Sequence, residues 1–280
     1  MIDKNAPSSY PPAAWRLVVD GEADGATNMA VDEAILSAVI DGASPPTLRF
    51  FARSPPCLSL GRNQPLADVD GQACAAAGVD VVRRPTGGRA ILHADELTYS
   101  VALLQIDPRA AGDVLTSYRC LSVGLLAGLR RLGLEVAHSA GKRKAPVDPS
   151  AVCFEVPSNY EITVGGRKLV GSAQWRVRGG LLQHGTLPLQ GDITRVVTYL
   201  TFSEAERLAQ RRALRARATT LENALARQVP FAEAAQAMTD GFAQALNVTL
   251  VPGALTAHED ALASDLRRER YASHAWTARV

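Results

Sequence analysis

Arg83-Arg84-Pro85-Thr86-Gly87-Gly88-Arg89-Ala90 is the stretch on which the reading of this chain turns. Three guanidinium groups and a glycine pair fall within these residues, with an apolar lead-in at Val79-Asp80-Val81-Val82 and an apolar run from Glu96 to Leu104 behind. Both flanks have the alternating, β-branched character of strands. Glycines at a strand end permit positive φ and let backbone approach a ligand closely. Successive N–H groups in such a turn form a concavity for anions. Arginine adds planar, bidentate donors suited to phosphate or carboxylate. The stretch reads as a loop between strands that holds an anionic or strongly polar group, with a solvated basic turn as the plainer alternative.

Outward from this loop, residues 15–20, 48–51 and 57–60 have strand character, the last two joined across Ser54-Pro55-Pro56. Residues 28–39 repeat apolar side chains at helical spacing, with Thr27 as an N-cap, and residues 67–77 form a second helix ended by Gly78. Residues 114–132 carry leucines along one helical face. After a basic, proline-containing stretch at 141–149 come strands at 153–154 and its continuation, 160–164, 168–176 and 180–189. The glycine pairs Gly165-Gly166 and Gly179-Gly180 mark hairpin turns. Beyond residue 192 the character changes to alanine-rich amphipathic helices over 204–214 (Ser203 as N-cap), 231–246 and 261–271. Sheet first and helices last gives an α+β fold. We read residues 1–280 as a single catalytic domain, with a sheet-rich core over 13–200 and C-terminal helices over 201–280 packed on it.

Composition narrows the function. Hydrophobic residues make up 47% and charged residues 21%, as in ordinary globular proteins, and a net charge of +2 gives no electrostatic case for nucleic acid. No apolar run approaches the ~18 residues of a membrane helix. Residues 1–12 lack a hydrophobic signal core, so a cytoplasmic protein is expected. Cys57, Cys74, Cys120 and Cys153 are widely spaced, without a C-x-x-C pair, and the five histidines are scattered. Neither a zinc site nor a disulfide framework is indicated, and no metal site is expected.

Cys153 differs from the other cysteines. Cys57, Cys74 and Cys120 lie inside apolar strand or helix patterns and read as core thiols. Cys153 follows the basic cluster Lys142, Arg143 and Lys144 and precedes Phe154-Glu155-Val156-Pro157-Ser158. It reads either as a buried thiol or as a nucleophile, and a nucleophile needs its pKa drawn below about 8.5 by a nearby cation or base. Lys168 returns toward the same region across the hairpin, unless it is a solvated hairpin lysine. The small residues Gly171-Ser172-Ala173 would let a ligand chain lie against backbone, and Ser172 offers a hydroxyl. His93 and His184 stand beside strands as rim residues or catalysts. The basic cluster could steer acidic partner proteins.

Taken in order, Arg-Arg-Pro-Thr-Gly-Gly-Arg-Ala, Glu-Leu-Thr-Tyr-Ser, Cys-Phe with Pro-Ser and Tyr-Glu-Ile, Gly-Arg-Lys-Leu-Val-Gly-Ser-Ala-Gln and Leu-Gln-His-Gly-Thr resemble the biotin/lipoate protein ligase superfamily. The closest branch is the ligase-fold octanoyltransferases of lipoate biosynthesis, and the likeness runs from about Trp15 into the C-terminal helices. It implies a mixed β-sheet core flanked by helices. It also implies transfer of octanoyl from octanoyl-acyl carrier protein, through a cysteine thioester, to a lysine of an apo lipoyl domain (a glycine cleavage H protein or an E2 subunit). By the same resemblance Cys153 is the nucleophile and Lys168 the lysine of the Gly-x-Lys-x-x-Gly-Ser-Ala motif. Arg83, Arg84, Thr86, Gly87, Gly88, Arg89 and Ala90 line the acyl site with His93 just after. Gly171, Ser172, Ala173, His184 and Gly185 form its other walls. No cofactor is required. Three other activities stay open. One is an ATP- and magnesium-dependent lipoate–protein ligase, although ligases of this superfamily typically carry Gly-Asn near Asp95-Glu96-Leu97 and Asn-Asp at Tyr160-Glu161. The second is an amidotransferase between lipoyl domains, and the third a catalytically silent acyl- or carrier-binding module.

Overall fold

The computed structural model describes residues 10–138 and 161–280. Cys153, the basic cluster Lys142–Lys144 and the strand expected at 153–154 lie outside the described residues.

The chain opens with strand β1 (Ala13–Ala23) and enters helix α1 (Gly25–Ile40). The cap of α1 is Asp24, not the expected Thr27. The Asp24 carboxylate accepts from the Thr27 N–H at 2.8 Å, and the Thr27 hydroxyl donates back to it, so the helix starts earlier than the apolar repeat suggests. Strands β2 (Thr47–Arg53) and β3 (Cys57–Leu60) follow. The helix expected over 67–77 splits into a 3-10 turn, Leu66–Asp68, and α2 (Gly71–Ala76). Asp70 interrupts it by capping α2 through the Ala73 N–H at 3.0 Å. Next come β4 (Asp80–Arg83), β5 (Ile91–His93), β6 (Glu96–Leu104), α3 (Val114–Arg131) and β7 (Ala137–His138). Beyond the undescribed stretch are β8 (Ile162–Val164), β9 (Arg167–Val177) and β10 (Gly180–Pro188). The last part holds α4 (Glu204–Arg217), with Ser203 in a full capping box, α5 (Leu221–Leu225), α6 (Phe231–Leu246) and β11 (Val248–Pro252). It ends with α7 (Ala257–Leu266) and α8 (His274–Thr277).

An eight-stranded mixed sheet runs β11-β1-β2-β6-β10-β9-β8-β7, and a small sheet runs β4-β3-β5. The fold is α+β, as the element order indicates, with one amendment. The C-terminal part is not helical throughout, because β11 adds a parallel edge strand to β1 with Ala13 opposite Val248. Asn247 sits in the left-handed region at φ 52°, which ends α6 and turns the chain directly into that strand.

Side-chain alternation along β6 sorts the two faces. Leu97, Tyr99, Val101 and Leu103 join the main core under α3 and α6. Ala102 packs with α1 and α7 on the other face. Leu104 packs there too, whereas the other even positions, Glu96, Thr98 and Ser100, are polar yet buried. They are the first structural sign of where the chemistry sits, since buried polar groups need partners.

Candidate active site

A cavity of about 470 Å³ opens between the two sheets. One wall is the β9–β10 hairpin, which contributes Lys168, Gly171, Ser172, Ala173, His184 and Gly185. The facing wall is the glycine-arginine loop with Arg84, Gly87, Gly88 and Arg89, and His93 stands at its end. Arg53, Ser59 and Thr98 complete the polar side, and Met29 and Ile91 contribute apolar surface. The volume lies within the ~300–1,000 Å³ common for small-molecule pockets.

The loop is held by backbone packing and by its own arginines. A Cβ on Gly61 would lie 1.9 Å from the Gly88 carbonyl oxygen, so only glycine lets the two segments touch. Gly88 itself takes φ +96°. Arg84 lines the cavity, but its guanidinium donates to the carbonyls of Ser59 and Arg89 at 2.8 Å and of Gly87 at 2.8 Å, which clasps the loop from inside.

Three residues expected in the acyl wall stand elsewhere. Arg83 is fully buried behind the loop and donates to the carbonyls of Gly61 (2.8 Å), Gln64 (2.6 Å) and Thr277 (2.7 and 2.9 Å). It bridges the loop to the C-terminal segment, because strand alternation points it away from its neighbour Arg84. Ala90 belongs to the small core with Leu58 and Leu60. Thr86 is buried behind His184, with its hydroxyl 2.8 Å from His184 Nε2. Arg84 and Arg89 are therefore the arginines of the loop that face the cavity.

Lys168 is not a solvated hairpin lysine. It is 5% exposed, its Nζ lies 2.7 Å from Glu161 Oε1, and its carbonyl accepts from the Thr219 N–H at 2.9 Å. The Ser172 hydroxyl accepts from Tyr99, which in turn accepts from the Gln183 amide. These bonds fix the small-residue wall from behind.

Beneath the cavity lies a compensated charge network. Glu96 accepts from Arg53, Thr98 and Thr186 and contacts His93 Nδ1; His93 Nε2 is 2.8 Å from the Ser59 hydroxyl. Burial pushes the Glu96 carboxyl up, but His93, Arg53 and Thr186 outweigh it and bring it down to about 2. Burial and the adjacent Arg53 lower His93 to about 4 despite Glu96. Asp32, reaching in from α1, accepts from Arg49 at 2.9 Å and from Ser100 at 2.8 Å, and lies 3.6 Å from His184 Nδ1. Burial again opposes ionisation, but His184, Arg49 and Ser100 hold Asp32 below the usual carboxylate range. Burial likewise lowers His184, against the pull of Asp32. In both imidazoles burial therefore favours the neutral form.

Sequence reasoning passed over Arg53, Ser59, Asp32 and Glu96. A signal for Glu96 existed: positions 96, 98 and 100 are polar on one face of a strand otherwise apolar. Among the described residues no cluster of His, Cys, Asp and Glu is placed to hold a metal ion, and no helix is long and apolar enough to cross a membrane.

Residues 24–243 match the lipoyl protein ligase A/B catalytic domain. A protein of Symbiobacterium thermophilum named octanoyltransferase LipM is 45% identical, across 95% of this chain and 98% of that protein. Another of that name from Kyrpidia tusciae is 43% identical, again across 95% and 98%. The fold is that of a bipartite lipoate protein ligase from Thermoplasma acidophilum (TM-score 0.80, 21% identity, 96% of this chain and 98% of that one). A lipoate-protein ligase A bound with ATP has a TM-score of 0.78 at 23% identity, across 95% of this chain and 98% of that one.

Proposed function

Because the chain belongs to the lipoyl protein ligase A/B catalytic-domain family, we propose that its cavity houses an octanoyl thioester exchange without ATP. The protein is an octanoyltransferase of lipoate biosynthesis, an acyltransferase, and its acceptor is a lipoyl-domain lysine. Octanoyl-acyl carrier protein is the donor we assign. The Cys153 thiol gives up its proton and its sulfur attacks the donor carbonyl, the carbonyl–sulfur bond to pantetheine breaks, the released pantetheine sulfur takes up that proton, and a Cys153 octanoyl thioester remains. The neutral acceptor amine then attacks that thioester. The Cys153 thiolate departs with the amine's proton, and an amide is left on the acceptor. Thioester exchange is nearly balanced in energy, and the more stable amide draws the second step forward. Splitting the transfer in two is the usual gain of a covalent intermediate. Neither a metal nor a nucleotide enters this scheme.

One observation carries the reading. A lysine, Lys168, is buried in the wall of a cavity whose other wall is backbone-rich loop and small residues, and the chain is 45% identical to an octanoyltransferase. The loop at Gly87–Arg89 and the strand at Gly171–Ala173 would line the acyl group, and Lys168 would act on the reacting carbonyl or thiol. The sheet and the C-terminal helices would work as one catalytic unit in the cytoplasm.

Intact mass spectrometry after mixing the protein with octanoyl-acyl carrier protein, without ATP, tests the proposal. A hydroxylamine-sensitive octanoyl adduct is expected in the wild type and not in Cys153→Ala. Lipoyl-domain acylation that needs free octanoate, ATP and magnesium, with Cys153→Ala fully active, would replace it with the ligase reading.

A further inference from the structure

We propose that Arg62, Arg89 and Arg279 form a rim at the mouth of the cavity on which the acidic donor carrier protein docks. The proposal rests on the acyl-transfer reading above and names the surface that receives the carrier.

The three arginines come from distant segments, and one buried side chain gathers them. The Arg83 guanidinium donates to the carbonyls of Gly61, Arg62 and Gln64 on one side and of Thr277 on the other. Gly87 and Gly88 line the cavity and are exposed, so they mark its mouth. Gly61 lies against Gly88, and the Arg62 N–H donates to the Thr86 carbonyl at 2.8 Å, which stands Arg62 beside that mouth. Arg89 is part of the cavity wall. Arg279 donates to the Arg62 carbonyl at 3.4 Å and lays its guanidinium carbon 3.6 Å from the centre of the Trp276 ring. Trp276 is itself tied to β4 through the Arg83 carbonyl. The Arg279 guanidinium is therefore held on a platform and does not swing freely from the surface.

The rim is uncompensated. Arg62 and Arg279 are exposed and Arg89 is half-buried. Among the described residues none of the three has a carboxylate partner, whereas the exposed Arg215, Arg227 and Arg267 pair with Asp192, Glu233 and Asp24. Burial, and then the nearby Arg62, push the Arg279 guanidinium below the usual arginine range, so the two cations crowd each other without relief. Arg270 adds to the crowding but is itself engaged by Glu33. The whole chain carries a net charge of only +2, so this is a local concentration of charge and not a property of the bulk surface. Like charges held together without an acid favour an anion that spans them. A carrier protein brings such anions in the phosphodiester of its pantetheine arm and the acidic side chains of its surface, and arginine forks match the oxygens of both. The arm must place its thioester in the cavity while the protein stays outside, so the carrier needs cations at the mouth. The acceptor domain fits less well, because it presents a lysine, and an arginine rim opposes the approach of a cation.

Arg62 and Arg279 lie outside the cavity lining, so changing them leaves the acyl site untouched. The test compares two donors, octanoyl-acyl carrier protein and octanoyl-pantetheine, which lacks both phosphate and protein. In Arg62→Ala/Arg279→Ala, kcat/KM for the carrier donor is expected to fall about tenfold with kcat retained, and its dependence on ionic strength to flatten. Octanoyl-pantetheine should react as with the wild type, and Arg62→Lys/Arg279→Lys should recover most of the loss. An unchanged kcat/KM for the carrier donor overturns the proposal, and so does an equal loss with both donors. If the double variant does not fold, Arg62→Glu decides alone by the same comparison, since the Arg62 side chain has no ion-pair partner among the described residues. A fluorescence-anisotropy titration of labelled holo-carrier protein, which bears no acyl group, reads docking without chemistry. Holo-carrier binding that is lost in the double variant, with no octanoyl adduct in the wild type, would leave the docking surface standing and remove the acyl-transfer reading. Normal adduct formation with unweakened holo-carrier binding would do the reverse. Apo lipoyl domain binding that depends on Arg62 and Arg279 more than carrier binding does would give the rim to the acceptor and overturn the proposal.

Discussion

Arg83 and Arg84 are adjacent and chemically identical, yet Arg84 lines a cavity and Arg83 ties distant parts of the chain together. Strand alternation sends their guanidinium groups to opposite sides of the small sheet. Arg84 closes around its own loop, while Arg83, fully buried, meets the carbonyls of Gly61, Gln64 and Thr277. The Trp276 indole donates to the Arg83 carbonyl at 2.9 Å, so the bridge to the C-terminus is double. Removing a buried charged donor leaves several carbonyls unpaired, which costs on the order of 3 kcal/mol. Arg83→Ala is expected to lose about that much in urea unfolding and to free residues 273–280 for carboxypeptidase. Unchanged midpoint and proteolysis would show that the bridge contributes nothing. Octanoyl binding should weaken too, because the same carbonyls shape the back of the loop. The density of arginine was legible in the sequence. Which arginine looked outward was not, because that depends on the Thr277 carbonyl of α8, 194 positions away in the chain.

At the scale of elements, the site stands on two kinds of packing. Helix α1 is buried around most of its surface and still carries Asp32 and Asn28 inside, where Arg49 accounts for both. Its helical period was readable, but the need for a buried aspartate appears only with β2 and β6 in place. Helices α3 and α6 cross at glycines. A Cβ on Gly241 would lie 2.3 Å from the Gly128 backbone nitrogen and 2.5 Å from the Gly124 carbonyl oxygen. Backbone cannot yield as a side chain can, so overpacking is severe there. Gly241→Val is expected to destabilise by about 1–3 kcal/mol, seen as a lower denaturant midpoint with little change in slope, while any folded fraction keeps the cavity between the sheets intact. A neutral result would mean the helices separate without cost. The short strand β11 was missed for a related reason: five residues after a helix give little periodicity, and only pairing with β1 makes them a strand.

The whole molecule registers the buried charges as a pH dependence. Glu96 titrates near 2 and His93 near 4 in the folded protein, both below their unfolded values of about 4.3 and 6.5. Each lowered value means that the unfolded chain binds protons more readily than the folded one. The stability from these groups is thus complete above about pH 6.5. It declines as His93 and then Glu96 are protonated, between about pH 6.5 and pH 2. Asp32, also held below its usual range, adds to the fall at the acid end. The melting temperature should drop steadily through this window. Glu96→Gln should flatten the drop below pH 5 at the cost of lower stability at pH 7, where Arg53 loses its counter-charge. A wild-type melting temperature constant from pH 7 to pH 4 would contradict the assignment.

Local order was enough for much of this protein. Alternation, helical period and caps placed most strands and helices, and the succession of short motifs indicated the ligase-like α+β fold and the octanoyl chemistry, because those patterns depend on neighbours a few residues apart. The burial of Lys168 against Glu161, the turning of Arg83 to the C-terminus and the recruitment of Arg53, Asp32 and Glu96 were decided only by the tertiary structure. Each depends on strands from distant parts of the chain lying side by side, which puts charges out of water and obliges them to pair.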